Sequence, residues 1–144
     1  MKLRPEITLE ALRDRARIGL PHLVGLQVIE LRENALVMRM PIRHEVLAPN
    51  GYLHAASVVA LADTCCGFAC AAHLPEGAIN FTTIELKSNF LGTATDGTLE
   101  TEAVAAHLGR TTHIWDAPVR HIESNRTIAL FRCTQMVLWP RRSG

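Results

Sequence analysis

Apolar and polar residues alternate with two distinct periods along this chain. From Thr8 to Leu20 (TLEALRDRARIGL), Leu9, Leu12 and Ala16 recur at helical spacing, which predicts a short amphipathic lead-in helix with Thr8 as its N-cap and Pro21 as its stop. Gly25 to Leu31 and Ala35 to Ile42 are β-like runs joined by Arg32-Glu33-Asn34, a link short enough for an antiparallel hairpin. A loop, RHEVLAPNGYL, then carries Pro49 and the turn dipeptide Asn50-Gly51 into HAASVVALADTCCGFACAAH, an apolar stretch of helical character between His54 and His73. After Pro75 and Gly77, β-like runs return at Ile79 to Phe90, Leu99 to His107, Thr111 to Ile122 and Thr127 to Leu138. Turn residues fall between them at Thr95-Asp96-Gly97, Leu108-Gly109-Arg110 and Ser124-Asn125-Arg126. Pro118 removes a ladder donor inside the third of these runs and predicts a bulge or break there.

This order of elements predicts an α+β domain: a meander-rich antiparallel sheet wrapped around the long apolar helix, the one segment apolar enough to cover a sheet face. The chain reads as a single domain over residues 1–144, with residues 1–20 as the lead-in and 139–144 as a flexible tail. The segment from Ala55 to Ala72 approaches membrane-spanning length, but Asp63 at its centre would cost about 2.5–3.5 kcal/mol on insertion scales. A buried helix of a soluble protein without a membrane partner is the expectation. The amino terminus lacks a secretory pattern, and a cytoplasmic location is expected.

Fifteen Lys and Arg against fourteen Asp and Glu give a formal charge of +1, which removes the field of a dedicated nucleic-acid binder. Cys65, Cys66 and Cys70 share the helical segment and Cys133 stands alone; small buried thiols, not a disulfide framework, are expected. No Cys or His spacing suits a structural zinc site, and His22, His44, His73, His107, His113 and His121 are scattered, so no metal is expected. Ser57 lacks the Gly-x-Ser-x-Gly context of a serine hydrolase.

Asp63 is the only acidic or basic residue between His54 and His73. An ionised carboxylate in a low-dielectric core costs several kcal/mol without partners, so it is either paired for structure or tuned for chemistry. The string NGYLHAASVVALAD (residues 50–63) resembles the signature of the hotdog-fold acyl-CoA thioesterases, the phenylacetate-pathway and 4-hydroxybenzoyl-CoA thioesterase-like group, in which an acidic residue follows a histidine by nine positions. TIELKSNFLGTA at 83–94 and Gly109-Arg110-Thr111 extend the likeness, which covers about residues 20 to 138. The chain departs from the pattern in two ways: Ala55 and Ala56 replace the family's two glycines, and Asn50 stands four residues before His54 where relatives often have an amide six before.

The resemblance implies hydrolysis of a small or aromatic acyl-CoA to the free acid and coenzyme A, with no cofactor beyond the coenzyme A of the substrate. It casts Asp63 as general base or nucleophile, Thr83 as a hydroxyl orienting the water, and the backbone N–H of Ala55 as oxyanion donor, since alanine keeps that donor. Asn50 and His54 would organise the loop and the carbonyl contact, Phe90 and Leu91 would line the acyl pocket, and Arg110, with Arg141 and Arg142, would meet coenzyme A phosphates. Family sites form between subunits, which implies a homodimer or a dimer of dimers. Two other readings stay open, a non-catalytic acyl-CoA-binding module and a hotdog hydratase or dehydratase, although the latter's short Asp-to-His spacing is missing.

Overall fold

The computed structural model describes residues 2–140. Arg141 and Arg142 therefore lie outside the described residues. The lead-in is two short helices, α1 (Leu9–Arg15) and α2 (Gly19–Leu23), instead of one ending before Pro21. Thr8 does cap α1, its hydroxyl accepting from Ala11 N–H at 3.1 Å. Gly19, at φ +66°, breaks the run, and Pro21 falls in the first turn of α2, where a missing N–H costs no helical hydrogen bond.

Strands β1 (Gln27–Arg32) and β2 (Ala35–Pro41) form the expected hairpin, with Asn34 turning at φ +63°. Helix α3 (Ala55–Ala72) follows, and then β3 (Asn80–Phe90), β4 (Thr98–Leu108), β5 (Thr112–Asp116), β6 (Val119–His121) and β7 (Arg126–Leu138). The predicted break at Pro118 is the gap between β5 and β6. All seven strands share one antiparallel sheet in the order β1-β2-β4-β5-β7-β3, with β6 beside β4 and β7. Within this antiparallel sheet β3 crosses to the far edge and pairs with β7 instead of β4. A run of hairpin-length links does not determine which edge an early strand joins.

The sheet curls around α3 as the hotdog architecture requires. Leu36, Met38 and Met40 of β2, Leu99 and Ala103 of β4, Trp115 of β5 and Phe131 and Cys133 of β7 all turn inward. Although α3 has the length and hydropathy of a membrane span, eleven of its residues are buried in this core. The four cysteines are free and buried, and burial pushes the Cys65 and Cys70 thiols up to about 12, which leaves them unreactive near neutrality.

Two histidines are fully buried. His73 is satisfied on both sides: Nδ1 donates to the Ala69 carbonyl at 2.7 Å and Nε2 accepts from Asn34 N–H at 2.8 Å. His113 sits 3.4 Å from the Cys70 sulfur, and burial pushes its imidazole down to about 4. It stays neutral in the fold but takes a proton in the unfolded chain below about 6.5. Its stabilising effect is complete above that value and is lost as pH falls towards 4, a loss of roughly 2–3 kcal/mol. Urea midpoints measured from pH 7.5 to 4.5 should therefore fall less steeply for His113→Gln than for the wild type; parallel curves would contradict this.

Candidate active site

The approach to α3 is built by short local bonds. Gly51, at φ +83°, closes a turn by donating to the Ala48 carbonyl at 2.9 Å, and Asn50 Oδ1 accepts from Tyr52 N–H at 3.2 Å. The Asn50 carbonyl oxygen is thus held within its own loop and only its amide nitrogen is left to face a substrate. The Val46 carbonyl takes both His54 N–H at 3.1 Å and the Ser57 hydroxyl at 2.9 Å, which fixes the first helical turn against the preceding 3-10 turn (His44–Val46).

His54 is the N-cap, and its Nδ1 accepts from Ala56 N–H at 2.9 Å. That bond uses an unprotonated Nδ1 and gives His54 the organising role expected of it. The N–H of Ala55, the first helical residue, has no acceptor among the described residues and points outward at the positive end of an 18-residue helix. Ala55 and Ala56 are both exposed, so the two methyls leave this end of the helix open.

Two turns further along, Asp63 is half-buried. Burial pushes its carboxyl above the usual range, and the Thr83 side chain, which hydrogen-bonds it, pulls the other way. Oδ1 of Asp63 is shielded from solvent and has no partner among the described residues. No cation faces the carboxylate at close range to make it a structural ion pair; the ion pairs among the described residues lie elsewhere. A β-bulge between Thr83 and Glu85 shifts the phase of β3 next to this contact. Eight residues separate Ala55 from Asp63, about 12 Å along one helix. One chain therefore cannot bring its own Ala55 N–H and its own Asp63 carboxylate to the same carbonyl group.

Beside the start of α3 an apolar cleft of about 300 Å³ lies between Leu20 and Val24 of the lead-in, Leu47, and Ala56 and Ala60 of the helix. A cleft of about 350 Å³ holds the ion-paired Glu100 with Arg120, and two of about 490 Å³ sit at residues 2–6 against Leu74–Gly77 and between α1, β1 and Arg43. Neither of the last two contains a buried carboxylate or a free helix N-terminus. Among the described residues no group of three or more His, Cys, Asp or Glu is disposed to hold a metal ion.

The remaining expected site residues are scattered within a single chain. Phe90 and Leu91 lie at the end of edge strand β3, 47% and 57% exposed, and line none of the clefts described above. Arg110 stacks over the Trp139 ring at 4.8 Å, while Trp139 Nε1 donates to the Arg110 carbonyl at 3.1 Å. Sequence reasoning missed Gln135, which is fully buried in the strand facing the helix, with neither amide atom partnered among the described residues. Its signal was its phase: Gln135 continues the inward set Phe131, Cys133 and Val137 of β7.

The thioesterase superfamily profile matches residues 50–128, a span that runs from Asn50 through all of α3 and strands β3 to β6. The Bacillus subtilis protein ComA2, which carries an esterase name, is 32% identical over 120 residues, covering 80% of this chain and 90% of that protein. A 1,4-dihydroxy-2-naphthoyl-CoA hydrolase of Listeria monocytogenes is 26% identical over 125 residues, 87% of this chain and 100% of that protein. A solved thioesterase from Haemophilus influenzae superposes with a TM-score of 0.90 at 26% identity and covers 100% of both chains. With its hotdog fold and a free helix N-terminus, the chain belongs to the thioesterase superfamily, whose chemistry is thioester hydrolysis.

Proposed function

We propose that this protein hydrolyses a small or aromatic acyl-CoA at a site shared by two subunits, with Asp63 of one facing the Ala55 N–H of the other. The observation that carries this reading is the half-buried, cation-free Asp63 carboxylate, one oxygen unpartnered, in a fold whose helix N-terminus keeps a free donor. The 12 Å between the two groups in one chain supports a shared site. So does β3, an 11-residue edge strand whose Ile84, Leu86 and Phe90 are 54%, 44% and 47% exposed, a face and an edge suited to a second copy.

In this arrangement Asp63 takes a proton from water while the water oxygen bonds to the thioester carbonyl carbon. The charge that develops on the carbonyl oxygen meets the Ala55 N–H and the positive end of α3. Collapse breaks the C–S bond, the acid is released, coenzyme A leaves as a thiolate, and the proton held by Asp63 passes through solvent to that thiolate, which restores the base. The apolar cleft of about 300 Å³ beside Ala56 supports an acyl group of limited size, and the naphthoyl-CoA specificity in the Listeria relative's name favours a ring. Arg110 stands as the candidate phosphate contact of the described residues.

The test is free-thiol release from acetyl-, hexanoyl-, palmitoyl-, benzoyl- and 1,4-dihydroxy-2-naphthoyl-CoA. The account expects turnover with the highest kcat/KM for an aromatic or short acyl group. Saturable binding with no thiol release would favour the binding module, and preference for palmitoyl-CoA would overturn the substrate class.

A further inference from the structure

Three positions of α3 lie above three cross-strand partners. Thr83 of β3 pairs with Gln135 of β7, which pairs with His113 of β5, so their side chains form one row on the helix-facing side of the sheet. On the helix, Asp63 meets Thr83 through a side-chain hydrogen bond. The place where a Cβ would stand on Gly67 is 3.9 Å from Gln135 Nε2, and the Cys70 sulfur is 3.4 Å from His113. The spacings match: seven residues of helix rise about 10.5 Å and two strand intervals span about 9.6 Å. Gly67 is one turn from Asp63 on the same face, about 6 Å along the axis.

This leaves a notch where α3 has no side chain. The Phe81 ring and the Gln135 amide border it; Asp63 Oδ1, on the same helix face, and both Gln135 amide atoms are shielded and have no partner among the described residues. A buried amide with both atoms unmet is destabilising, and a leucine or methionine in that phase would pack with Phe131 and Val137 without such a cost. One water can partner two such groups at once, with a hydrogen bond of about 2.8 Å to each.

We propose that Gln135 is a positioning residue: its amide holds a water against the Asp63 carboxylate in the notch that Gly67 opens. The inference rests on the reading of Asp63 as the group that activates water. Gln135 touches neither substrate nor the reacting carbonyl; it fixes where the water and the carboxylate sit.

Two variants test this by different routes. Gln135→Met removes the amide at similar volume, and Gly67→Ala fills the notch, its methyl 3.4 Å from Phe81 and 3.9 Å from Gln135, ordinary contacts. A structural account predicts that both are harmless, since one removes an unmet polar group and the other replaces glycine in a helix by alanine; both should hold or raise Tm. The proposal predicts that kcat on the panel thioester with the highest kcat/KM falls about tenfold or more in each, with KM within about twofold. The acid limb of kcat should also move to higher pH, because the ionised carboxylate has lost a hydrogen-bond donor. Unchanged kcat in either folded variant, or an unmoved acid limb, overturns it. Asp63→Asn, measured alongside, separates the two ideas: inactive Asp63→Asn with active Gln135→Met refutes the role of Gln135 alone, whereas active Asp63→Asn refutes the reading of Asp63 and the inference with it.

Discussion

Asp63→Asn should lower kcat by about 10²–10⁴-fold while the protein becomes more resistant to heat. The amide keeps the shape of the carboxylate but cannot take a proton from water. The gain in stability follows from burial, which holds the Asp63 carboxyl above its usual range, so that the folded state binds a proton more readily than the unfolded chain. Above its folded pKa the ionised group therefore destabilises the fold, and the asparagine removes that burden. The advantage, a Tm higher by a few degrees at neutral pH, should shrink as pH falls and the wild-type carboxyl becomes protonated. For the same reason the acid limb of wild-type kcat/KM should lie above the ordinary carboxylate value. Scanning calorimetry at pH 7.5 and pH 4, with thiol-release assays, measures both effects. A variant that is inactive and much less stable would instead make Asp63 a structural carboxylate.

The second large effect is expected at a residue whose side chain does nothing. Ala55→Pro deletes the one backbone donor assigned to the oxyanion and should cost about 10²–10³ in kcat with the fold intact. Proline is at home at the first helical position, where the N–H has no helical partner. His54 already has φ −73° and ψ 132°, the extended conformation that a residue before proline prefers. Ala55→Gly, which keeps the donor, should retain most of the activity. Circular dichroism and thiol release on the two variants check this: equal activities would remove the Ala55 N–H from the mechanism.

The parts of this molecule governed by local chemistry were legible from residues alone. The bounds of α3, the Thr8 cap of α1, the break at Pro118 and the buried thiols each follow from propensity, capping or phase acting over a few positions. Pro21 reads as a stop because proline ends helices, yet α1 already ends at Arg15, and a new helix starting at Gly19 gives Pro21 a permitted place in its first turn. The site of β3 in the sheet, the bulge next to Thr83 and the stacking of Arg110 on Trp139 depend on partners dozens of residues away, which no local pattern encodes. Asp63 stood out because a charge inside an apolar helix is conspicuous. Gln135 did not, because a neutral amide breaks an inward alternation quietly, and only the register with Thr83 and the gap at Gly67 give it meaning.

The most direct measurement is complementation between two inactive variants. Asp63→Asn and Ala55→Pro homo-oligomers, mixed under conditions that allow subunit exchange, form hybrid pairs in which one shared site carries both substitutions and the other carries neither. If Asp63 of one subunit works with the Ala55 N–H of its partner, thiol release should recover to about a quarter of the wild-type rate, since about half the pairs are hybrids with one intact site of two. Exchange without any recovery above the separate variants would place both groups in one chain's site, which the 12 Å between them forbids, and would contradict the account.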